Sequence, residues 1–201
     1  MHVLESAYHV TRRSIHRAAL ATFENRVLSI RLTNGTHEIL HVPKVPCVVA
    51  GACTVSFQEL APGEAGTIRF SSSEGSLVGS TKSWCHHAGA VELVVGQERL
   101  LLAQAAPIGQ SIKKNSCFSF RFAGEQDKDV RQFYRQMPQE FMGLPGASSS
   151  AAGKEFTAYA MASSHYEVDM VVRGDDGVTF KGMDSLQQLR FAELCKECKP
   201  D

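Results

Sequence analysis

The chain has 201 residues, of which 43% are apolar and 21% charged, with 21 Lys/Arg against 21 Asp/Glu. That length can bury one good core in an ordinary folded protein, and zero net charge excludes the global basic field of a nucleic-acid or anionic-surface binder. No apolar run reaches the ~20 residues of a membrane-spanning helix. Charge is still uneven: residues 1–50 carry six Lys/Arg against three Asp/Glu, and residues 151–201 carry six against nine, a polarity that favours contact between the two ends.

Taken in order, Ala7 to Phe23 holds Arg12, Arg13 and Arg17 with Ser, Thr and Ala and no acid, a composition that resembles a mitochondrial presequence. The same stretch reads as a helix capped by Thr11, with Ile15, Ala18, Ala19 and Phe23 on one face. We take it as part of the fold. No apolar core of a secretory signal is present, so the six cysteines are expected as thiols and the location as intracellular, cytoplasmic or nuclear.

Arg26 to Leu32 alternates as a strand, Asn34-Gly35 predicts a hairpin turn, and His37 to Val42 is the expected return strand, ended by Pro43 and Pro46. Val48 to Leu60 holds a further strand, and Thr67 to Phe70 another. Ala90 to Val95 and Arg99 to Gln104 flank Gly96-Gln97-Glu98 as a second hairpin.

The best-formed unit is Asn115 to Gly143. Phe118, Phe120 and Phe122 share one face of a strand whose other face carries Arg121, so the Phe row is expected in the core rather than as a base-stacking platform. Asp127 is the expected helix cap, and Val130, Phe133, Tyr134 and Met137 fall at i, i+3, i+4 and i+7 of a helix over Asp127–Met137. Residues 144–154 read as a small-residue linker. Beyond it, residues 155–201 read as a strand around Tyr166–Val172, a turn at Gly174-Asp175-Asp176-Gly177, a strand at Val178–Lys181 and a final helix, too short to enclose a core alone.

Motifs for catalysis are sparse. There is no phosphate-binding loop, dinucleotide fingerprint or nucleophile elbow, and no pair of carboxylates stands out. Cys195 and Cys198 have metal-ligand spacing, and Cys85 with His86 supplies the matching donor types for a tetrahedral zinc site. Both cysteines of that CxxC pair follow the expected helix, where its dipole does not activate a thiolate. The bland reading, a polar loop and a helix end, is preferred, so no catalytic residue, metal or cofactor is assigned.

Several antiparallel strands, then Phe118-Ser119-Phe120-Arg121-Phe122, a polar cap and a closing helix, resemble the pleckstrin-homology superfold over residues 20–143; a polo box is similar to the same order. The resemblance implies an α+β fold: an antiparallel sheet or half-open barrel over residues 1–143, its open end plugged by Phe133, with a hairpin–helix extension. It implies a non-catalytic module that binds peptides or fixed subunits, as an adaptor or a part of a larger assembly, homo-oligomers included. The basic cluster of phosphoinositide-binding members would follow the first strand, but Arg12, Arg13 and Arg17 precede it. Arg12, Arg13, Arg17, Trp84, Arg131 and Arg135 are the candidate partner contacts. An RNA-binding subunit is the alternative function, and a zinc- or thiol-dependent enzyme the third.

Overall fold

Period-2 alternation buries every second side chain of a strand, and here it does so toward a single interior shared by two sheets. The computed structural model describes residues 27–72, 85–107, 117–136, 148–163 and 166–174. Among them are twelve strands and one short helix, α1 (Val130–Gln136). The first sheet contains β1 (Val27–Gly35), β4 (Ala52–Val55), β6 (Ala65–Ser71), β10 (Ser148–Ala152), β11 (Phe156–Ala162) and β12 (Glu167–Gly174), in the order β10-β11-β12-β1-β6-β4. The second contains β2 (Leu40–His41), β3 (Cys47–Ala50), β5 (Glu59–Leu60), β7 (Cys85–Val95), β8 (Glu98–Pro107) and β9 (Cys117–Phe122). Its order is β5-β2-β7-β8-β9, with β3 also paired to β7.

Pairing is antiparallel except between β1 and β12, which run parallel with Ile30 opposite Val168 and Leu32 opposite Met170. The core lies between the sheets. Leu28, Ile30 and Leu32 of β1, Ile68 and Phe70 of β6 and Val168, Met170 and Val172 of β12 meet Val91, Leu93, Leu100, Leu102, Phe118 and Phe120 from the second sheet. The Phe row is core, as its face predicts: Phe118 is 1% exposed and Phe120 8%. The β7–β8 hairpin also forms where expected, turning at Gly96-Gln97.

The expected α+β architecture, a half-open barrel closed by a C-terminal amphipathic helix, is not what forms. The described chain is mostly strand, and β10, β11 and β12 extend the sheet that contains β1. The interior is thereby covered by a second sheet, which leaves no barrel end for a helix to close. Helix α1 instead lies on the outer side of the second sheet, where Phe133 packs with Ala90, Leu101 and Ala103. Its cap is Asp129, whose Oδ1 accepts the Gln132 N–H at 2.7 Å, and not Asp127. Val130 and Tyr134 pack beside Phe133, as their spacing predicts.

Three further expectations shift. Asn34-Gly35 is no hairpin turn: β1 runs through it, and the chain then crosses to the other sheet, where β2 pairs with β5 and β7. The stretch Val48 to Leu60 breaks into β3, β4 and β5, because Gly51, at φ +73°, turns the chain from one sheet to the other. Ser148–Ala152, inside the expected linker, is strand β10, paired to β11 from Ser148–Met161 to Ala152–Thr157. The turn after Gly174 and everything to residue 201, including the expected final helix, lie outside the described residues.

Candidate docking surface

The crossing between sheets is built by one buried side chain. Asn34 is fully buried, and its Nδ2 donates to the carbonyls of Glu38 and Leu60, each at 2.8 Å. Its Oδ1 accepts the Thr36 N–H at 3.1 Å and the Thr36 hydroxyl at 2.8 Å. Both N–H donors and both lone pairs of its side-chain amide are spent on backbone and Thr36, so the crossing is fixed in shape.

From there the chain is anchored at Leu40, fully buried, and again at Ala50, 9% exposed. Between these anchors lie Pro43 and Pro46, which fix φ and carry no N–H. The segment between the anchors presents apolar side chains to solvent, Val45 at 91% exposed, Val48 at 44% and Val49 at 51%, and Ile39, just before Leu40, is 51% exposed. Among the described residues the other exposed large apolar side chains, Val27 and Tyr166, are each 37% exposed, so exposure concentrates between Ile39 and Val49. Single exposed apolar residues are commonplace, whereas a run of them marks a contact surface. The edge strand β3 sits close on β7. A Cβ on Gly89 would lie 2.7 Å from the Cys47 carbonyl oxygen and 3.1 Å from the Phe70 ring, so only glycine lets β3 approach so near.

Beside this loop lies an ion-pair network. Lys44, 65% exposed, places its Nζ 3.8 Å from the buried Glu92 carboxylate. Arg99 takes both oxygens of Glu92, Nε donating to Oε1 and Nη2 to Oε2, each at 3.0 Å. The Arg99 hydrogen bonds hold the Glu92 carboxyl below the usual carboxylate range, against the opposing effect of burial. Arg99 Nη1 also donates to the Asp127 carbonyl at 2.8 Å. The Asp127 side chain accepts from Arg121 Nη2 at 2.5 Å and from the Gly124 N–H at 2.9 Å. The Arg121 guanidinium stands 5.0 Å from the Phe133 ring centroid, a cation–π distance. The network pins the start of α1 to the β7–β8 hairpin.

Of the residues singled out from sequence, Arg131 and Arg135 lie on α1 and are exposed. Cys85 and His86 open β7. Arg12, Arg13, Arg17, Trp84, Cys195 and Cys198 lie outside the described residues. Among the described residues no three His, Cys, Asp or Glu side chains are placed to hold a metal. Burial pushes the Cys53 thiol up to about 12, which leaves it protonated and poorly nucleophilic. No helix of the described residues is long and apolar enough to cross a membrane, which says nothing of strands. Sequence reasoning missed the exposed segment. Its signal was present in Val42-Pro43-Lys44-Val45-Pro46-Cys47-Val48-Val49, where the prolines read only as the end of a strand.

No family model and no curated protein matches the sequence. The fold is similar to that of a solved structure, the crystal structure of the lipid-binding protein Nakanori. The TM-score is 0.50 at 11% identity, over 81% of this chain and 78% of that one. At that identity the likeness is one of fold.

Proposed function

We propose that this protein is a non-catalytic binding module that docks onto a lipid surface through the Ile39–Val49 segment. The observation that carries the reading is Val45, 91% exposed between Pro43 and Pro46 in a stretch anchored by the buried Leu40 and Ala50. A protruding apolar loop of this kind enters the headgroup region without a span, and burial of its valines in acyl chains is favourable by about 0.8 kcal/mol per CH₂. The lipid-binding name of the structural neighbour points the same way. Glu92, Arg99, Arg121 and Asp127 beside the loop are consumed in holding the start of α1, which supports binding over catalysis. Action at an intracellular membrane belongs to the same proposal.

The test is flotation of the full chain with phosphatidylcholine–phosphatidylserine vesicles. The expected result is co-flotation that falls at least tenfold in a Val45→Asp, Val49→Asp variant with an unchanged circular-dichroism spectrum. Equal flotation of the variant would overturn the assignment of the loop.

A second reading has its own observation. Strand β3 is an edge strand with Val48 and Val49 exposed and no charge between Cys47 and Ala50, the type of edge to which another chain adds a strand. Protein–protein association as an adaptor or subunit would use that edge. Cross-linking and co-purification from the native source tests it: a reproducible partner cross-linked at β3, with no vesicle flotation, would favour this reading over the first.

A further inference from the structure

We infer that the docking surface selects bilayers whose headgroups carry net negative charge, with Lys44 as the headgroup contact beside the inserted Val45 and with Arg131 and Arg135 of α1 in support; the inference rests on the lipid-docking reading. The argument begins at Glu92. Both of its oxygens are already taken by Arg99 at 3.0 Å, while the Lys44 ammonium stands off at 3.8 Å and is 65% exposed. Removal of the last partner of a buried carboxylate is costly, because it leaves an uncompensated charge. Glu92 keeps Arg99 whether Lys44 stays or goes, so Lys44 can turn to a phosphate without leaving a buried charge uncompensated.

The position of Lys44 matters as much as its freedom. Its backbone lies between Pro43 and the exposed Val45, so once released from Glu92 its ammonium stays within a side-chain length of a surface that receives Val45. An ammonium next to an inserted apolar side chain sits at headgroup depth, where its long stem lets the charge reach the phosphate plane.

Helix α1 adds to the field. It packs on β7 and β8, the strands that carry Glu92 and Arg99, and its sequence, Val-Arg-Gln-Phe-Tyr-Arg-Gln, contains no acid. Phe133 takes the buried side, and Arg131 and Arg135, one helical turn apart, are exposed. The neighbouring acid Asp127 is buried and paired with Arg121, and Asp129 caps the helix through the Gln132 N–H. Among the described residues, the exposed acids closest in sequence, Glu125 and Asp129, lie before the helix rather than on it. A basic side chain near an anionic leaflet contributes about 1 kcal/mol, or about a fivefold gain in partitioning.

The test compares vesicles of phosphatidylcholine alone with vesicles containing phosphatidylserine, using the full chain and the variants Lys44→Gln and Arg131→Gln/Arg135→Gln. The expected result is tighter binding to the anionic vesicles, reduced about fivefold by Lys44→Gln and further by the double variant, and weakened as salt rises from 50 to 300 mM. Binding to the neutral vesicles, whose phosphate is balanced by choline, should change far less for the same substitutions. Equal partitioning onto both vesicle types, or a Lys44→Gln loss of the same size on each, would overturn the headgroup inference and leave docking by the loop standing. Absence of binding to every vesicle would instead remove the lipid reading itself. Val45→Asp serves as the control that separates the two, because it should weaken binding to both vesicle types.

Discussion

Asp127 and Glu92 are carboxylates buried on the outer side of the second sheet, and each is held ionised by arginine. For Asp127 the largest effect is burial, which pushes its carboxyl up. The Gly124 N–H, Arg121 and Arg99 together outweigh burial and leave it below the ordinary range. Glu92 is lowered chiefly by its hydrogen bonds to Arg99. A carboxyl depressed in the folded state contributes stability that is present above its unfolded value, near pH 4, and is lost as pH falls through the folded one. Stability should therefore decline as pH falls below about 5, and the decline should be shallower in Asp127→Asn and in Glu92→Gln. Urea midpoints measured between pH 3 and pH 7 check this. Parallel profiles for wild type and both variants would mean that these carboxylates do not govern the acid limb.

At the scale of elements, α1 is the least self-sufficient. Seven residues are far fewer than the ~12–15 that a helix needs to persist alone in water, so it depends on Phe133, on its cap at Asp129 and on the tether through Arg99 and Arg121. Phe133 touches the small cluster of Ala90, Leu101 and Ala103, apart from the core between the sheets. Replacement of Phe133 by Ala should cost about 3–5 kcal/mol of local stability. Loss of hydrogen-exchange protection should be confined to residues 130–136, while β1, β7 and β8 keep theirs. Uniform loss of protection would show instead that α1 is integral to the sandwich.

The same elements explain how much of the fold was legible. Alternation is local, so it placed β6, β9 and the β7–β8 hairpin and assigned Phe118, Phe120 and Phe122 to the core. Which strand lies beside which is set by contacts far apart in sequence. The pattern around Asn34-Gly35 therefore matched a hairpin, although Asn34 is spent on Glu38 and Leu60 at a crossing between sheets. The helix pattern was likewise sound at Val130, Phe133 and Tyr134, but it carries no information on which surface receives that face. The docking surface was least legible. Valine in the run Val45 to Val49 reads as core until the strands around it are in place, and only then does its exposure become apparent.

For the whole molecule, the parallel pair β1–β12 has a consequence in time. Ile30 and Val168 face each other across 138 residues of chain (168 − 30), and β12 lies between β11 and β1 in its sheet. Contacts of such separation close late, because the entropy of the intervening loop must be overcome before they reward the chain. Among the described residues the second sheet is drawn from residues 40–122, and its β7–β8 hairpin needs only a two-residue turn. Pulse-labelled hydrogen exchange during refolding should thus protect β7 and β8 before β1 and β12; the reverse order would contradict the scheme. On a chain emerging from the ribosome, the loop at Val45, the Glu92–Arg99 pair and α1 all come out before β12 exists. The surface proposed to meet the bilayer belongs to the part of the molecule that can assemble first, and β12, which bridges β1 and β11, is the last of the described strands to arrive.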